Sequence, residues 1–486
     1  MAASDRTQLF QAIQEQDFES VARLFQEGVP VDSFKDDRTT PLMLGSRFGS
    51  LDLVNLCLLH GADPDLQGKY GLTALMVAAA ANQTSVVETL LQSGAQVNVA
   101  NEDGTTALMV AAYKGALSVV EQLVVAGAQL NLEDHDGDTA LNLAIQGDYQ
   151  SVVVFLLRQG ADPYQGHGSL GIAVAERAIA ALDELLRFGV NVNLPCADGR
   201  TPLMHAVISG YGEMVEKLLA AGAKPNLQDL DGDTALILAV EQGYLDIVQQ
   251  LMAAGASLTQ QENLLTLAAI AGNFDLLQFL LAQGIPIDTQ DESGDTALHG
   301  ATLEGKDETV QYLLTQGANP NIANTQGDTP LLIAAYQGYP AIATQLLDHG
   351  ADINHSHGGE NAVHIAFNEG KMDILKILLQ RGGNPDERLA KGKTLLMQAA
   401  DRGYIAVMQL LLDAKADPNA QDDHHATPLM WAAHRCYTQV VKFLIENAPN
   451  LDINAKNKRG DTVLKLVKYN NCQEIVALLL QAGATE

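Results

Sequence analysis

Residues 104–131 read GTTALMVAAYKGALSVVEQLVVAGAQLN, and residues 71–98 repeat the phrase as GLTALMVAAAANQTSVVETLLQSGAQVN. The phrase returns along the whole chain, and each copy is anchored by an apolar residue at the place that follows Thr-Ala or Thr-Pro. Ten of the fourteen spacings between successive anchors are 33 residues, and repetition at about 20–50 residues indicates a stacked array of small units. The fifteen anchors are Leu9, Leu42, Leu75, Leu108, Leu141, Leu170, Leu203, Leu236, Leu265, Leu298, Leu331, Val363, Leu396, Leu429 and Leu464.

Each unit predicts two short helices and an extended loop. Thr106 is placed to cap the first helix through its hydroxyl group, and Gly115 ends that helix. Gly127 suits the left-handed position that follows the second helix. The loop AQLNLEDHDG predicts a hairpin with Asp-Gly at its tip, and a helix pair with one apolar side must bury it against its neighbours. The apolar side of the second helix consists of Val119, Val120, Leu123 and Val124.

The 33-residue period and the string G-x-T-P-L-x-x-A resemble the ankyrin repeat, most clearly at residues 201–206, 329–331 and 427–429. This resemblance covers residues 5–484 and implies an all-α solenoid of stacked helix-turn-helix units with β-hairpin fingers. The chain departs from the family pattern in that Met usually replaces the His after T-P-L. A tyrosine also often replaces the His after the mid-unit Gly, and we interpret these tyrosines as packing between repeats: Tyr149, Tyr211, Tyr244, Tyr339, Tyr404 and Tyr437.

The domain prediction is a single continuous array over residues 1–486. It has an N-terminal cap repeat at 5–34, internal repeats at 35–457 and a C-terminal cap repeat at 458–486, because both end units carry polar residues where other units have small apolar ones. Four units are irregular in spacing: those anchored at Leu170, Leu265, Val363 and Leu464. Duplication of a three-unit block, drift in loop length, and notches that admit a partner loop all remain open as explanations.

Composition excludes several classes of protein. The 486 residues contain 29 Lys plus Arg and 59 Asp plus Glu, and the net charge of −30 argues against nucleic acid and anionic membranes as partners. No run of about 20 apolar residues predicts membrane insertion. Four cysteines without a CxxC pair indicate packed, unpaired thiols in a reducing compartment, so we expect a cytoplasmic protein.

Catalytic and metal-binding patterns are weak. The sequence has no G-x-S-x-G, P-loop, HExxH or kinase motif, so we predict that the protein is not an enzyme and uses no cofactor. His355 and His357 (HSH) and residues 422–425 (DDHH) could ligate a metal ion, but both lie at hairpin tips where polar residues simply meet solvent. We therefore predict no metal site, and we interpret Trp431 as packing rather than as a binding anchor.

Binding to proteins is the function that remains. The resemblance implies that the concave side of the array, at the end of each first helix, is the binding surface. Exposed apolar residues there are typical of binding hot spots, as we expect for Tyr113, Ile208, Leu303 and Tyr336. The full set of candidates is Tyr113, Lys114, Ile208, Glu241, Leu303, Glu304, Tyr336, Gln337, Asp401, Arg402, His434 and Arg435.

The leading functional hypothesis is a monomeric, non-enzymatic scaffold or adaptor that binds one or more proteins through this surface, with basic partners favoured by the acidic charge. The alternative is a stoichiometric regulator or assembly chaperone of a basic client protein.

Overall fold

The chain divides into two compact units, Met1–Ser257 and Leu258–Glu486, in a computed structural model that describes residues 3–258 and 263–485. Within those ranges the secondary structure consists almost entirely of α-helices arranged in pairs, as the repeat predicts. The continuity of the whole array over both units stays a prediction.

The first unit contains eight helix pairs among its described residues, each formed by one repeat. A single 3-10 turn, Lys69–Gly71, precedes the third pair. The helices are α1 (Ala3–Gln14), α2 (Phe18–Gln26), α3 (Pro41–Phe48), α4 (Leu51–Leu59), α5 (Ala74–Ala80), α6 (Thr84–Gln92), α7 (Ala107–Tyr113), α8 (Leu117–Val125), α9 (Ala140–Gln146), α10 (Gln150–Arg158), α11 (Ser169–Ala175), α12 (Ile179–Phe188), α13 (Pro202–Ile208), α14 (Gly212–Ala220), α15 (Ala235–Glu241) and α16 (Leu245–Ala253).

The second unit contains seven helix pairs in the part of the chain that the structure describes. It also has a 3-10 turn at Ala390–Gly392 and two short antiparallel strands, β1 (Ser356–His357) and β2 (Glu360–Asn361). The helices are α17 (Leu264–Ala271), α18 (Phe274–Ala282), α19 (Ala297–Leu303), α20 (Asp307–Thr315), α21 (Pro330–Gln337), α22 (Pro340–Asp348), α23 (Ala362–Asn368), α24 (Met372–Gln380), α25 (Leu395–Arg402), α26 (Ile405–Asp413), α27 (Pro428–His434), α28 (Thr438–Asn447), α29 (Val463–Tyr469) and α30 (Gln473–Gln481).

Threonine caps start most of the first helices, as the sequence predicts. The backbone N–H of Met109 donates to Thr106 Oγ1 at 3.4 Å, and that of Met76 donates to Thr73 Oγ1 at 3.3 Å. Such a cap contributes about 1 kcal/mol to helix stability. Gly127 lies just beyond α8 with φ of +88°, so its predicted left-handed position is confirmed.

The core of each unit is formed by stacking one repeat on the next. First helices pack on first helices, as α5, α7 and α9 do, and second helices pack on second helices. The anchors Leu75 and Leu108 are buried at these contacts, and Ala111 and Ala112 are fully buried. Small side chains let neighbouring helices approach closely, and burial of each leucine contributes roughly 1.5–3 kcal/mol. The predicted stacked solenoid is thus confirmed within each unit.

The fingers are mostly turns held by side chains. In one finger Asp134 Oδ1 accepts hydrogen bonds from the N–H groups of Asp136 (3.1 Å) and Asp138 (2.9 Å), and the N–H of His135 donates to the carbonyl of Asp103 in the previous finger (2.9 Å). Among the described residues, only β1 and β2 form a paired strand, and two further fingers form single bridges, Ala100 with Thr106 and Gln228 with Thr234. Hydrogen bonds to the carboxylate therefore take the place of most of the hydrogen bonds that two paired strands would form in a regular hairpin.

Tyrosines at the start of the second helices pack on the preceding repeat. A Cβ atom at Gly115 would lie 2.5 Å from Tyr149 Cδ1, so the ring lies directly on the glycine. The same arrangement places Tyr244, Tyr339 and Tyr437 against the glycines one repeat earlier, at positions 210, 305 and 403. The Arg177 guanidinium lies 5.3 Å from the ring centre of Tyr211. Packing between repeats is confirmed for these five tyrosines, whereas no atom of Tyr404 lies within 4 Å of the equivalent Cβ position at Gly370.

The four cysteines behave in two ways. Cys57 is buried and Cys196 is half-buried, and both are unpaired, so the interpretation as packed thiols is confirmed for these two. Burial raises the pKa of Cys57 to about 12 and the pKa of Cys196 to about 11. The same interpretation is wrong for Cys436 and Cys472, which form a disulfide with a Cα–Cα distance of 5.8 Å. The two cysteines are 36 residues apart, and the stacking of the last two repeats brings them together.

Candidate protein-binding surfaces

The predicted site residues lie at the C-terminal ends of first helices. In the first unit, Tyr113 ends α7 with Lys114 as its C-cap, Ile208 ends α13 and Glu241 ends α15. Tyr113 is 52% exposed, and Lys114 Nζ lies 5.2 Å from the centre of its ring. Ile208 is half-buried, so only part of its side chain is available to a partner.

The surface near Glu241 is acidic and already contains one cationic side chain, that of Arg200. Arg200 Nε donates to Asp229 Oδ2 at 3.1 Å, and the Asp229 side chain is only 2% exposed. Partial burial and the neighbouring Asp233 carboxylate raise the pKa of Glu241. Burial also raises the pKa of Asp233, with a further contribution from Asp229. Several carboxylates therefore compete for a single guanidinium at this place.

Two candidates of the second unit, Leu303 and Tyr336, line one cleft of about 330 Å³ together with Gln337. Leu303 is 43% exposed and Tyr336 is 58% exposed; Leu303 ends α19, and Tyr336 lies in the last turn of α21 in the next repeat. Two carboxylate residues at the base of the fingers, Asp295 and Asp328, complete the wall. The cleft thus combines exposed apolar surface with negative charge. Glu304 is exposed at the C-cap of α19.

A buried histidine holds this cleft in shape. The N–H of Thr296 donates to His299 Nδ1 at 3.1 Å, and this bond places the ring proton on Nε2. Nε2 then donates to the carbonyl oxygen of Asp328 at 3.1 Å, which fastens the next finger. Burial lowers the pKa of His299, so the ring stays neutral and adds no positive charge to the cleft.

The remaining candidates belong to a cluster in which charged side chains pair with one another. Arg435 Nε donates to Asp401 Oδ1 at 2.6 Å, and Lys393 Nζ lies 3.9 Å from Asp401 Oδ2. Lys393 Nζ also lies 3.3 Å from the ring centre of Trp431. The structure therefore brings Asp401 and Arg435 together as partners of one another, so an incoming ligand would have to displace one of them.

Two flanking candidates also contact aromatic rings. The Arg402 guanidinium lies 5.2 Å from the ring centre of Phe367, and the His434 ring meets Trp431 edge to face at 6.3 Å between centroids. Trp431 Nε1 donates to Asp422 Oδ2 at 3.1 Å, which agrees with its interpretation as packing.

The residues that resemble metal ligands have structural roles. Asp422 is 3% exposed, and its Oδ1 accepts from the N–H groups of His424 (2.8 Å) and Ala426 (2.9 Å), which holds the finger turn. His355 Nε2 lies 3.2 Å from the carbonyl oxygen of Gly327 in the previous finger. Over residues 3–258 and 263–485, no group of three or more His, Cys, Asp or Glu side chains is arranged to hold a metal ion. In the same ranges, no helix is long and apolar enough to cross a membrane.

Sequence reasoning missed the carboxylates at the base of the fingers. Asp295 and Asp328 each stand three residues before a unit anchor, a row that also holds Arg200 and Lys393. The signal is present in the repeat alignment, because this column varies between acidic, basic and neutral residues while the column after it is Thr in most units. It becomes meaningful only when the fold shows that the column faces the ends of the first helices.

Comparison with known proteins places this geometry in a family. The model of a family described as ankyrin repeats (3 copies) matches residues 9–101, 96–166, 170–262, 265–357, 355–422 and 415–485. Among solved structures, the crystal structure of the ankyrin repeat domain of Bcl-3, described as a unique member of the IkappaB protein family, is similar with 27% identity. That match covers 45% of this chain and 100% of that chain, with a TM-score of 0.41.

Two curated relatives share short stretches with the chain. A putative ankyrin repeat-containing protein of Treponema pallidum (strain Nichols) is 40% identical over 68 residues, which are 14% of this chain and 23% of that protein. The 2-5A-dependent ribonuclease of Mus musculus is 36% identical over 75 residues, which are 15% of this chain and 10% of that protein. The chain thus spans about a quarter and about a tenth of the length of these relatives, and the similarity concerns repeats alone.

Proposed function

The chain belongs to the ankyrin repeat family, and from that premise we propose that it is a non-enzymatic protein-binding scaffold or adaptor. Ankyrin repeats generally mediate protein–protein interaction, and the repeats match nearly the whole chain. The observation that carries the proposal is the pair of exposed residues Leu303 and Tyr336, which line one cleft at the ends of two first helices. Exposed apolar side chains in a recess are the usual anchors of a protein interface.

The proposed partners are proteins with basic surfaces, and the proposed form is a monomer in the cytoplasm. The net charge of −30 supports basic partners because complementary charge accelerates encounter and suppresses wrong partners. Cys57 and Cys196 are unpaired, as is usual in a reducing compartment, but the Cys436–Cys472 disulfide is not typical of one, so the cysteines do not support the cytoplasmic part of the proposal.

A capture experiment tests the binding surface. The full-length protein is immobilised, exposed to the native cell extract, and compared with Tyr113→Ser, Ile208→Ser and the double variant Leu303→Ser/Tyr336→Ser. Val125 and Leu480 are 87% and 54% exposed on second helices, so Val125→Ser and Leu480→Ser serve as matched controls. Partners that are lost from the site variants and kept by the controls support the proposal. Partners that bind all variants equally would overturn the proposed surface.

The alternative is a stoichiometric regulator or assembly chaperone of a basic client, and the carboxylates Asp295 and Asp328 at the base of two fingers favour it. The two functions differ in stoichiometry. A scaffold holds at least two partners in one complex, whereas a chaperone holds one client and releases it when the client assembles. Native mass spectrometry of the captured complexes distinguishes them, because a ternary complex is expected only for the scaffold.

A further inference from the structure

The cleft of the second unit contains negative charge that the chain does not neutralise. Asn324 Nδ2 donates to Asp295 Oδ1 at 2.9 Å, and this neutral amide supplies no positive charge. Within the described ranges, no Lys or Arg side chain forms an ion pair with Asp295 or Asp328. The buried ring of His299 accepts the N–H of Thr296 at Nδ1 and therefore supplies no positive charge.

Other repeats show which side chains occupy the position three residues before the anchor, and how their charge is balanced. Arg200 stands three residues before its anchor, as Asp295 and Asp328 do, and its guanidinium is held by Asp229 at 3.1 Å. Lys393 occupies the same position in another repeat, where its Nζ lies against the face of Trp431 and 3.9 Å from Asp401. Both cations are supplied by the chain itself. At the Leu303–Tyr336 cleft the same row is acidic, so a matching cation has to come from a partner.

The apolar wall suits the stem of a long cationic side chain. Lys and Arg bury their methylene stems on apolar surface while the charged head stays with polar groups. Leu303 and Tyr336 offer such surface at the mouth, with Asp295 and Asp328 beside them. An aromatic ring also attracts a cation placed over its face, which adds to the attraction of the two carboxylates.

We propose that this cleft binds one Arg or Lys side chain of an extended segment in the protein partner, with the stem against Leu303 and Tyr336 and the head between Asp295 and Asp328. The inference rests on the proposed function, since it assigns the chemistry of one contact in the same binding surface. It commits the cleft to a cationic side chain, whereas the proposed function requires only that some protein binds there.

The probes are peptides selected from a displayed library of random dodecapeptides. The library is selected on the full-length wild-type protein and counter-selected on Leu303→Ser/Tyr336→Ser, so that the survivors depend on the cleft. The strongest survivor is synthesised in two further forms, one with its Arg changed to citrulline or its Lys to norleucine, and one with a distant cation neutralised. Fluorescence anisotropy then measures the affinity of each peptide for the wild type, Asp328→Asn and Asp295→Asn.

We expect the survivors to share an Arg or Lys, and we expect its neutralisation to weaken binding about tenfold, as does Asp328→Asn. Asp328→Asn and Asp295→Asn should have little further effect on the neutral peptide, because that peptide has already lost its contact with both carboxylates. Asp373→Asn changes the net charge equally on the exposed side of α24 and should have little effect. Survivors that ignore both changes would overturn this inference and leave the proposed function standing. A library that yields no cleft-dependent survivor would count against both.

Discussion

Cys436 and Cys472 are bonded at the place where other repeats put a tyrosine ring on a glycine. Cys436 stands seven residues after its anchor, as Gly210 does, and Cys472 stands eight residues after the next anchor, as Tyr244 does. The last pair of repeats therefore replaces a packing contact with a covalent bond. Cys436 has φ of +55°, the left-handed conformation that glycine adopts at this position elsewhere.

Loss of the disulfide is expected to destabilise the C-terminal repeat. The bond closes a loop of 36 residues, and such a closure typically contributes about 2–4 kcal/mol. Cys472→Ser should therefore lower the free energy of unfolding of this end, and reduction of the wild type should do the same. Urea unfolding followed by hydrogen exchange of α29 and α30 measures the effect.

The chain itself offers the control for this experiment. Cys436→Gly/Cys472→Tyr restores the contact used by Gly210 and Tyr244, keeps Cys57 and Cys196, and relieves the positive φ at position 436. This variant should unfold identically with and without reductant. If the wild type also unfolded identically in both conditions, the disulfide would contribute nothing to stability.

Gly115→Ala tests the glycine–tyrosine contact directly. The new Cβ would lie 2.5 Å from the Tyr149 ring, and φ of +66° disfavours alanine, so we expect a loss of about 2–3 kcal/mol in unfolding free energy. Gly127→Ala is the matched control, because its φ is +88° but nothing lies within 4 Å of its Cβ position. It should lose only the backbone part, about 1–2 kcal/mol. Equal losses of unfolding free energy for Gly115→Ala and Gly127→Ala in urea would show that the contact with the tyrosine ring does not contribute to stability.

Local rules and periodicity were enough to predict the repeat and its two helices. Thr106 caps its helix and Gly127 follows its helix as expected, because both effects depend on residues within a few positions of one another. The predicted fingers are present, but few of those described contain a paired strand. In most described fingers an Asn or Asp side chain, such as Asp134, holds the turn, and this competes with formation of a regular strand ladder.

The site was less predictable because it depends on contacts between repeats. The Cys436–Cys472 bond joins residues that are distant in sequence, and it could have been found only by aligning each unit with the one after it. Likewise, Asp401 and Arg435 were both candidates, but the sequence could not show that they bind each other. Whether a polar side chain contacts solvent, an adjacent repeat or a partner protein depends on three-dimensional packing.

Asp229→Asn tests the ion pair with Arg200 through its dependence on pH. Burial raises the pKa of Asp229, but hydrogen bonds from Arg200 and from the N–H groups of Asp233 and Asp231 outweigh it, so the pKa lies below its usual value of 3.8. A carboxyl whose pKa is lower in the folded state stabilises the fold above its unfolded pKa and loses that effect as pH falls. The variant should be less stable by about 1–2 kcal/mol at pH 7, and the difference should shrink as the pH falls below the usual pKa of 3.8.

Asp138→Asn is expected to change the pH dependence of stability in the opposite direction to Asp229→Asn, because the pKa of Asp138 is raised. Burial raises the pKa of Asp138 despite its hydrogen bond from Gln146, so the wild type loses stability as pH rises through the shifted pKa. Relative to the wild type, Asp138→Asn should gain stability between about pH 4 and neutral pH. Unfolding curves measured from pH 3 to pH 7 give both comparisons. A difference between Asp229→Asn and wild type that stayed constant with pH would contradict the assigned ion pair.

The irregular repeat anchored at Leu170 is expected to open more readily than its neighbours. Its first helix, α11, has Gly168 as its N-cap residue and therefore no side-chain cap, whereas α7 has the Thr106 cap, and a missing cap costs about 1 kcal/mol. Its shortened finger also leaves a cleft of about 250 Å³. Amides of α11 should therefore exchange about fivefold faster than those of α7 in native-state hydrogen exchange. Gly168→Thr is no repair because φ there is +76°, so Thr106→Ala is the comparison, and it should bring α7 toward the rate of α11. Uniform protection of α7 and α11 in the wild type would show that the shortened finger and absent cap are compensated by packing.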